Sequence, residues 1–269
     1  MPLKITFLSI AVCICYLPAQ AAFIPLHGLP GDTTQQNADR SACSAIDLAA
    51  STNATVNYQL YLKDSVAKLA PFDKTNTNQP EQVFFVDDVS GVKTVSTIVS
   101  ITDSVGEASV YKNTVISLHT HPYGDDEGPS AADIFGLGAS YPAFKQEFVI
   151  VYTGEKYCIT INNLKTLQAF VLANPGAVYE KNGQFNSNTT LGKAYVQVEA
   201  MLLKSGWSVA EAKERALAFV FKDAGITISK ATEGSVVFKK IGLMQKLGSD
   251  GKPTLTADGD EVFVKTDCK

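Results

Sequence analysis

Histidine is scarce in this chain, with three in 269 residues. Two of them, His119 and His121, stand one residue apart in "SLHTHPYGDDEGPSAADIFGLG", so one short stretch holds most of the imidazole chemistry available. Also missing is any run of Lys or Arg. The 23 basic and 27 acidic residues nearly balance at a net charge of -4, without the basic stripe a phosphate backbone requires, and nucleic acid is not an expected partner. No stretch reaches the roughly 20 apolar residues of a bilayer span. The apolar stretch from Ile5 to Leu17 falls short of that length and has Lys4 before it and Pro18, Ala19, Gln20 and Ala21 after it. That arrangement reads as a secretory signal peptide over 1–21, with cleavage after Ala21. The mature chain is then expected to be secreted or periplasmic, with no membrane partner after signal cleavage.

Cysteine is also sparse. Of five, Cys13 and Cys15 leave with the signal peptide, and Cys43, Cys158 and Cys268 remain. An oxidising compartment favours one disulfide, expected between Cys43 and Cys268 near the two ends of the mature chain. Cys158 lies in an apolar, strand-like run, where a lone thiol serves as a small core residue.

The rest of the chain has the composition of a globular protein, 45% hydrophobic, with neither internal repeats nor low-complexity segments. Residues 22–55 read as a loosely ordered leader containing the third histidine, His27. A helix is expected in "NYQLYLKDSVAKLA", where Leu62, Val66 and Leu69 recur at helical spacing before Pro71. Residues 81–122 are dense in Val, Ile, Thr and Phe and predict three or four strands, ending with "TVISLHTH". A short helix should begin near Ser130, and two strands should flank the turn "TGEK". Beyond residue 163 the pattern turns helical; Ser208 and Glu211 form a capping box and Gly225 a stop. "SVVFKKIGLM" and "EVFVKTD" suggest a closing strand pair. The order predicts an α/β or α+β fold: a central mixed sheet flanked by helices over 56–163, then a helical extension with a strand pair over 164–269.

Alternation along a strand puts His119 and His121 on one face, with Thr120 opposite. Two imidazoles at a strand end can share a zinc ion, and a catalytic zinc site takes three protein ligands. Asp133 supplies the third if the loop after Pro122 folds back. Ser130, three residues earlier, then lies beside the metal, and it is equally a good helix N-cap. A carboxylate is still needed to accept and return a proton. Glu81, opening the strand "EQVFFV", is the first candidate, with Glu107 and Glu127 as rivals.

The sequence "HTHP", a short loop and then "PSAAD" resembles the JAMM motif of the MPN family of zinc metallopeptidases, H-x-H-P followed by S-x-x-D with a catalytic Glu upstream. The resemblance covers roughly 57–162. It implies an MPN-like sheet and zinc held by His119, His121 and Asp133. It assigns Ser130 to the oxyanion and Glu81 to general acid/base work, and it implies a peptide or protein substrate cut at a peptide or isopeptide bond. Eight residues separate His121 from Ser130, one more than the common family spacing, an insertion within "YGDDEG". Two other outcomes stay open: an MPN-like binding module without turnover, or a secreted toxin or effector hydrolase acting on cell-wall peptide.

Overall fold

The computed structural model describes residues 3–4, 80–96, 99–101, 109–110, 112–121, 128–178, 183–233, 235 and 237–267. The leader, the helix expected in "NYQLYLKDSVAKLA", Glu107, Glu127, Cys43 and Cys268 lie outside these residues, as does nearly all of the signal segment.

The described chain has a mixed α+β architecture built on one sheet. A two-residue strand β1 (Leu3–Lys4) pairs with β5 (Ser109–Val110) apart from that sheet. The sheet itself contains β2 (Glu81–Val89), β3 (Val92–Val95), β4 (Val99–Ile101), β6 (Thr114–His121), β7 (Gln146–Val151), β8 (Lys156–Ile161), β9 (Ile226–Ala231) and β10 (Lys239–Lys240). Its order is β10-β9-β8-β7-β6-β2-β3, with β4 also pairing to β2. Only β6 and β7 run parallel; the other neighbours are antiparallel. The connection between this parallel pair carries the first described helix, α1 (Ala131–Leu137). His119 and His121 are at the carboxyl end of β6, the end from which this connection departs.

Strand alternation divides the core in two. Phe84, Val86, Ile116, Leu118, Phe148, Ile150 and Cys158 form one cluster. The opposite face presents Val149, Val151, Tyr157, Ile159 and Ile228 to a larger cluster, which receives residues from all four described helices: α1, α2 (Leu164–Ala173), α3 (Thr190–Lys204) and α4 (Val209–Val220). A seven-residue helix is too short to stand alone. The α1 cap contributes about 1 kcal/mol, whereas Ile134 and Leu137, buried in the larger cluster, contribute about 1.5–3 kcal/mol each. Tertiary packing therefore holds α1 in place, and with it the two site residues at its start.

The described residues from 164 onward share this sheet and core. "ITISKA", absent from the sequence expectation, forms β9 and extends the sheet along β8. Gly225 makes the reversal from α4 into β9 at φ +74°, and a Cβ there would lie 2.8 Å from the Asn163 carbonyl oxygen. The expected strand "SVVFKKIGLM" is divided: Lys239–Lys240 pairs with β9, while β11 (Leu243–Gln245) pairs with β12 (Phe263–Lys265). The Arg215 guanidinium fixes that last pair to α4 by donating to the Gly242 carbonyl at 2.9 Å and to Asp267. None of the described helices is long and apolar enough to cross a membrane.

Cys158 packs as the sequence suggested, 4% exposed and free. Burial pushes its thiol pKa up to about 12, opposed by a contact with Thr160 and assisted by Glu147. Because the thiolate is the nucleophile, iodoacetamide should alkylate Cys158 in the native protein on the order of a thousandfold more slowly than after denaturation. Rapid native labelling, read by peptide mapping, would place this thiol outside the core.

Candidate metal centre

The sequence folds β6 so that the odd residues Ser117, His119 and His121 share the helix-bearing face, and all three are buried. Asp133 reaches them from α1. The Nε2 atoms of His119 and His121 are 3.1 Å apart, His119 Nε2 is 3.5 Å from Asp133 Oδ1, and His121 Nε2 is 3.6 Å from Asp133 Oδ2. Ligands bound at about 2.0–2.1 Å around a tetrahedral ion stand about 3.3 Å from one another. The three side chains thus converge with the spacing of a coordination tetrahedron, and they are the His/Cys/Asp/Glu group among the described residues able to hold a metal ion.

The ring orientations fit the same purpose. His121 Nδ1 lies 2.9 Å from the Gly128 carbonyl oxygen, which can only accept, so Nδ1 donates there and Nε2 is the nitrogen that faces His119 and Asp133. His119 turns its Nδ1 toward Glu147 Oε1 at 3.4 Å. Gly128 in turn backs onto Tyr157; a Cβ at Gly128 would touch that ring at 3.5 Å, and the Tyr157 hydroxyl donates to Glu214 of α4 at 2.8 Å. A helix from the last third of the chain therefore supports the loop that orients His121.

Ser130 is the N-cap of α1, as expected. Its Oγ accepts from the Asp133 N–H at 3.1 Å, and its own N–H donates to Asp133 Oδ2 at 2.6 Å. This reciprocal cap sets the Asp133 rotamer and leaves the Ser130 hydroxyl proton available for another acceptor. The Gly183 carbonyl accepts from Ala132 N–H at 3.1 Å, so the segment before α3 crosses this turn. Beside Ser130 lies a pocket whose other walls include Gln184, Phe185, Tyr195 and Lys213, with Phe185 stacked on Tyr195 at 4.5 Å.

Glu81 opens β2, whose Val83 pairs with His119. Continuing that antiparallel register by two residues sets Glu81 level with His121, on the face that carries both imidazoles. The adjacent Gln82 N–H donates to Thr120 Oγ1 at 2.9 Å, consistent with the same register.

His119 and Asp133 offset each other's burial. Burial works against a protonated His119, but the Asp133 carboxylate, followed by Glu147, holds its pKa well above 6.5. Burial likewise opposes ionisation of Asp133, yet His119, His121 and the Ser130 N–H keep its carboxyl well below the usual range. For Glu147, burial raises the pKa above 4.5, with His119 pulling the other way.

Sequence reasoning missed Glu147, Gly128 and Tyr157. For Glu147 the available signal was phase: it shares the inward face of β7 with Val149 and Val151, although a lone glutamate at a strand start ordinarily sits in water. No protein-family model matches the sequence, and no curated protein or solved structure matches the chain.

Proposed function

We propose that this chain is a secreted, zinc-dependent hydrolase of peptide or isopeptide bonds with a JAMM-type site on an MPN-like sheet. The observation that carries this reading is the convergence of His119 Nε2, His121 Nε2 and one Asp133 carboxylate at 3.1 to 3.6 Å, with His121 fixed by a carbonyl in the tautomer a metal ligand needs. Two imidazoles and one carboxylate suit zinc, and three protein ligands are the number found in catalytic zinc sites. Bound there, zinc would supply Lewis-acid polarisation of a carbonyl and lower the pKa of water toward about 7.

The chain's own residues would perform the remaining steps. Glu81 takes the proton from the attacking water and returns it to the leaving amine, which needs one carboxylate reachable from the face of the two imidazoles. Ser130 Oγ donates its proton as a hydrogen bond to the developing oxyanion while its backbone N–H continues to hold Asp133. The half-buried Tyr195, with Gln184 and Lys213, would give substrate a contact surface next to Ser130. Export through the N-terminal segment would direct the enzyme to extracytoplasmic peptide or protein substrates.

The test is elemental analysis of the purified mature protein beside a His119→Ala/His121→Ala variant. The expected result is about one zinc per chain in the wild type and none in the variant. A wild type that holds no zinc after reconstitution would sink the hydrolase reading and leave a binding module.

A further inference from the structure

We propose that Glu147 is a positioning residue for the metal centre: its buried carboxylate holds the Nδ1–H of His119 so that Nε2 faces the ion. The assignment rests on the metal-binding reading above and adds a residue that the JAMM motif does not contain.

Glu147 pairs in register with Ser117 across the parallel β6–β7 ladder, which puts it one step diagonally from His119 on the same face. Its Oε1 receives two groups: Ser117 Oγ donates to it at 3.3 Å, and His119 Nδ1 stands 3.4 Å away. Its Oε2 is buried with no hydrogen-bond partner. A carboxylate with an orphaned oxygen, 7% exposed, is a costly way to satisfy one serine hydroxyl. A neutral acceptor would serve Ser117 equally well. The negative charge becomes useful when the imidazole beside it delivers electron density to a divalent cation, because a carboxylate behind the distal nitrogen fixes the tautomer and ring plane and makes Nε2 a stronger donor.

The two ring nitrogens of His119 point apart, so the group that meets Nδ1 does not share the space Nε2 faces. Glu147 is therefore a support for a ligand and does not compete with Glu81 for the proton-transfer role. The two imidazoles are backed by different acceptors, a neutral carbonyl at His121 and a carboxylate at His119.

The experiment measures zinc dissociation constants by chelator competition for the wild type, Glu147→Gln, Glu147→Ala and Cys158→Ala, and visible spectra of their cobalt-substituted forms. Loss of an outer partner of a metal-bound histidine weakens affinity by about 10–100-fold. We expect Glu147→Ala to fall in that range with a shifted cobalt spectrum. Glu147→Gln keeps an acceptor for Nδ1–H and should fall between the alanine variant and the wild type. Cys158→Ala, a core change on the opposite face, should lower the melting temperature and leave the affinity unchanged. A folded Glu147→Ala protein with wild-type affinity and an unchanged cobalt spectrum would overturn the assignment while leaving the metal site intact. Where the alanine variant does not fold, Glu147→Gln decides alone, and wild-type affinity and spectrum in that variant would overturn the assignment. A wild type without metal would remove both the site and its support.

Discussion

Glu81→Gln protein should retain a full complement of zinc and lose about two to four orders of magnitude in turnover. Glutamine preserves the shape of the side chain and cannot cycle a proton, so the loss measures the general acid/base contribution, typically about 10²–10⁴-fold. Glu81 is absent from the three-residue cluster of ligand atoms, so metal content should not change. The check is a single preparation assayed twice, by elemental analysis and by hydrolysis of a peptide and isopeptide panel that the wild type cleaves. Undiminished turnover would move the proton-transfer role to Glu107 or Glu127. Loss of zinc together with activity would instead make Glu81 a ligand. The prediction draws on register: with Val83 opposite His119, Glu81 falls opposite His121, and an odd offset would have turned its side chain to the other face.

The parts of the site that could be read from sequence are those fixed by short-range geometry. Residues i and i+2 on a strand share a face in any fold, so the pairing of His119 with His121 required only that "TVISLHTH" be a strand. Ser130 and Asp133 are three residues apart at a helix start, and the same spacing that makes a capping box sets the carboxylate's direction. Glu147 stands 28 positions beyond His119 and meets it only through the parallel ladder, for which the local sequence has no marker. Tyr157 and Glu214 meet across 57 positions, again only through the fold. The same limit explains β9. "ITISKA" is a six-residue run directly after a helix stop, too short to announce itself, and it becomes a strand because β8 offers it an edge. The extension after residue 163 therefore could not be recognised as part of the central sheet, and its link to His121 through Tyr157 was invisible.

Asp133 carries two duties that substitution should separate. Asp133→Asn keeps an oxygen to accept from the Ser130 N–H, so α1 should start normally, but it removes the anionic ligand and should abolish retention of zinc through gel filtration. Asp133→Ala loses the ligand and the side-chain half of the cap, leaving the Ser130 N–H without its acceptor while Ser130 Oγ still accepts from the backbone N–H of residue 133, and should cost about 1 kcal/mol beyond the asparagine variant. The pH dependence of the metal-free proteins gives an independent reading. The carboxyl of Asp133 is held below its ordinary 3.8, so its contribution to stability is full above that value and is lost as pH falls through its lower folded pKa. His119 is raised above its ordinary 6.5, so its contribution is full below that value and is lost as pH rises through its higher folded pKa. Both contributions are whole between pH 3.8 and 6.5, and the wild type should exceed Asp133→Asn in melting temperature by the widest margin there. The margin should narrow as His119 loses its proton at higher pH. Zinc added near neutral pH must displace that same proton, so calorimetry in buffers of different ionisation enthalpy should show proton release on binding to the wild type. A melting-temperature margin that does not vary with pH would show that His119 and Asp133 do not interact as a charged pair in the folded chain, and the cluster would lose its electrostatic support as a metal site.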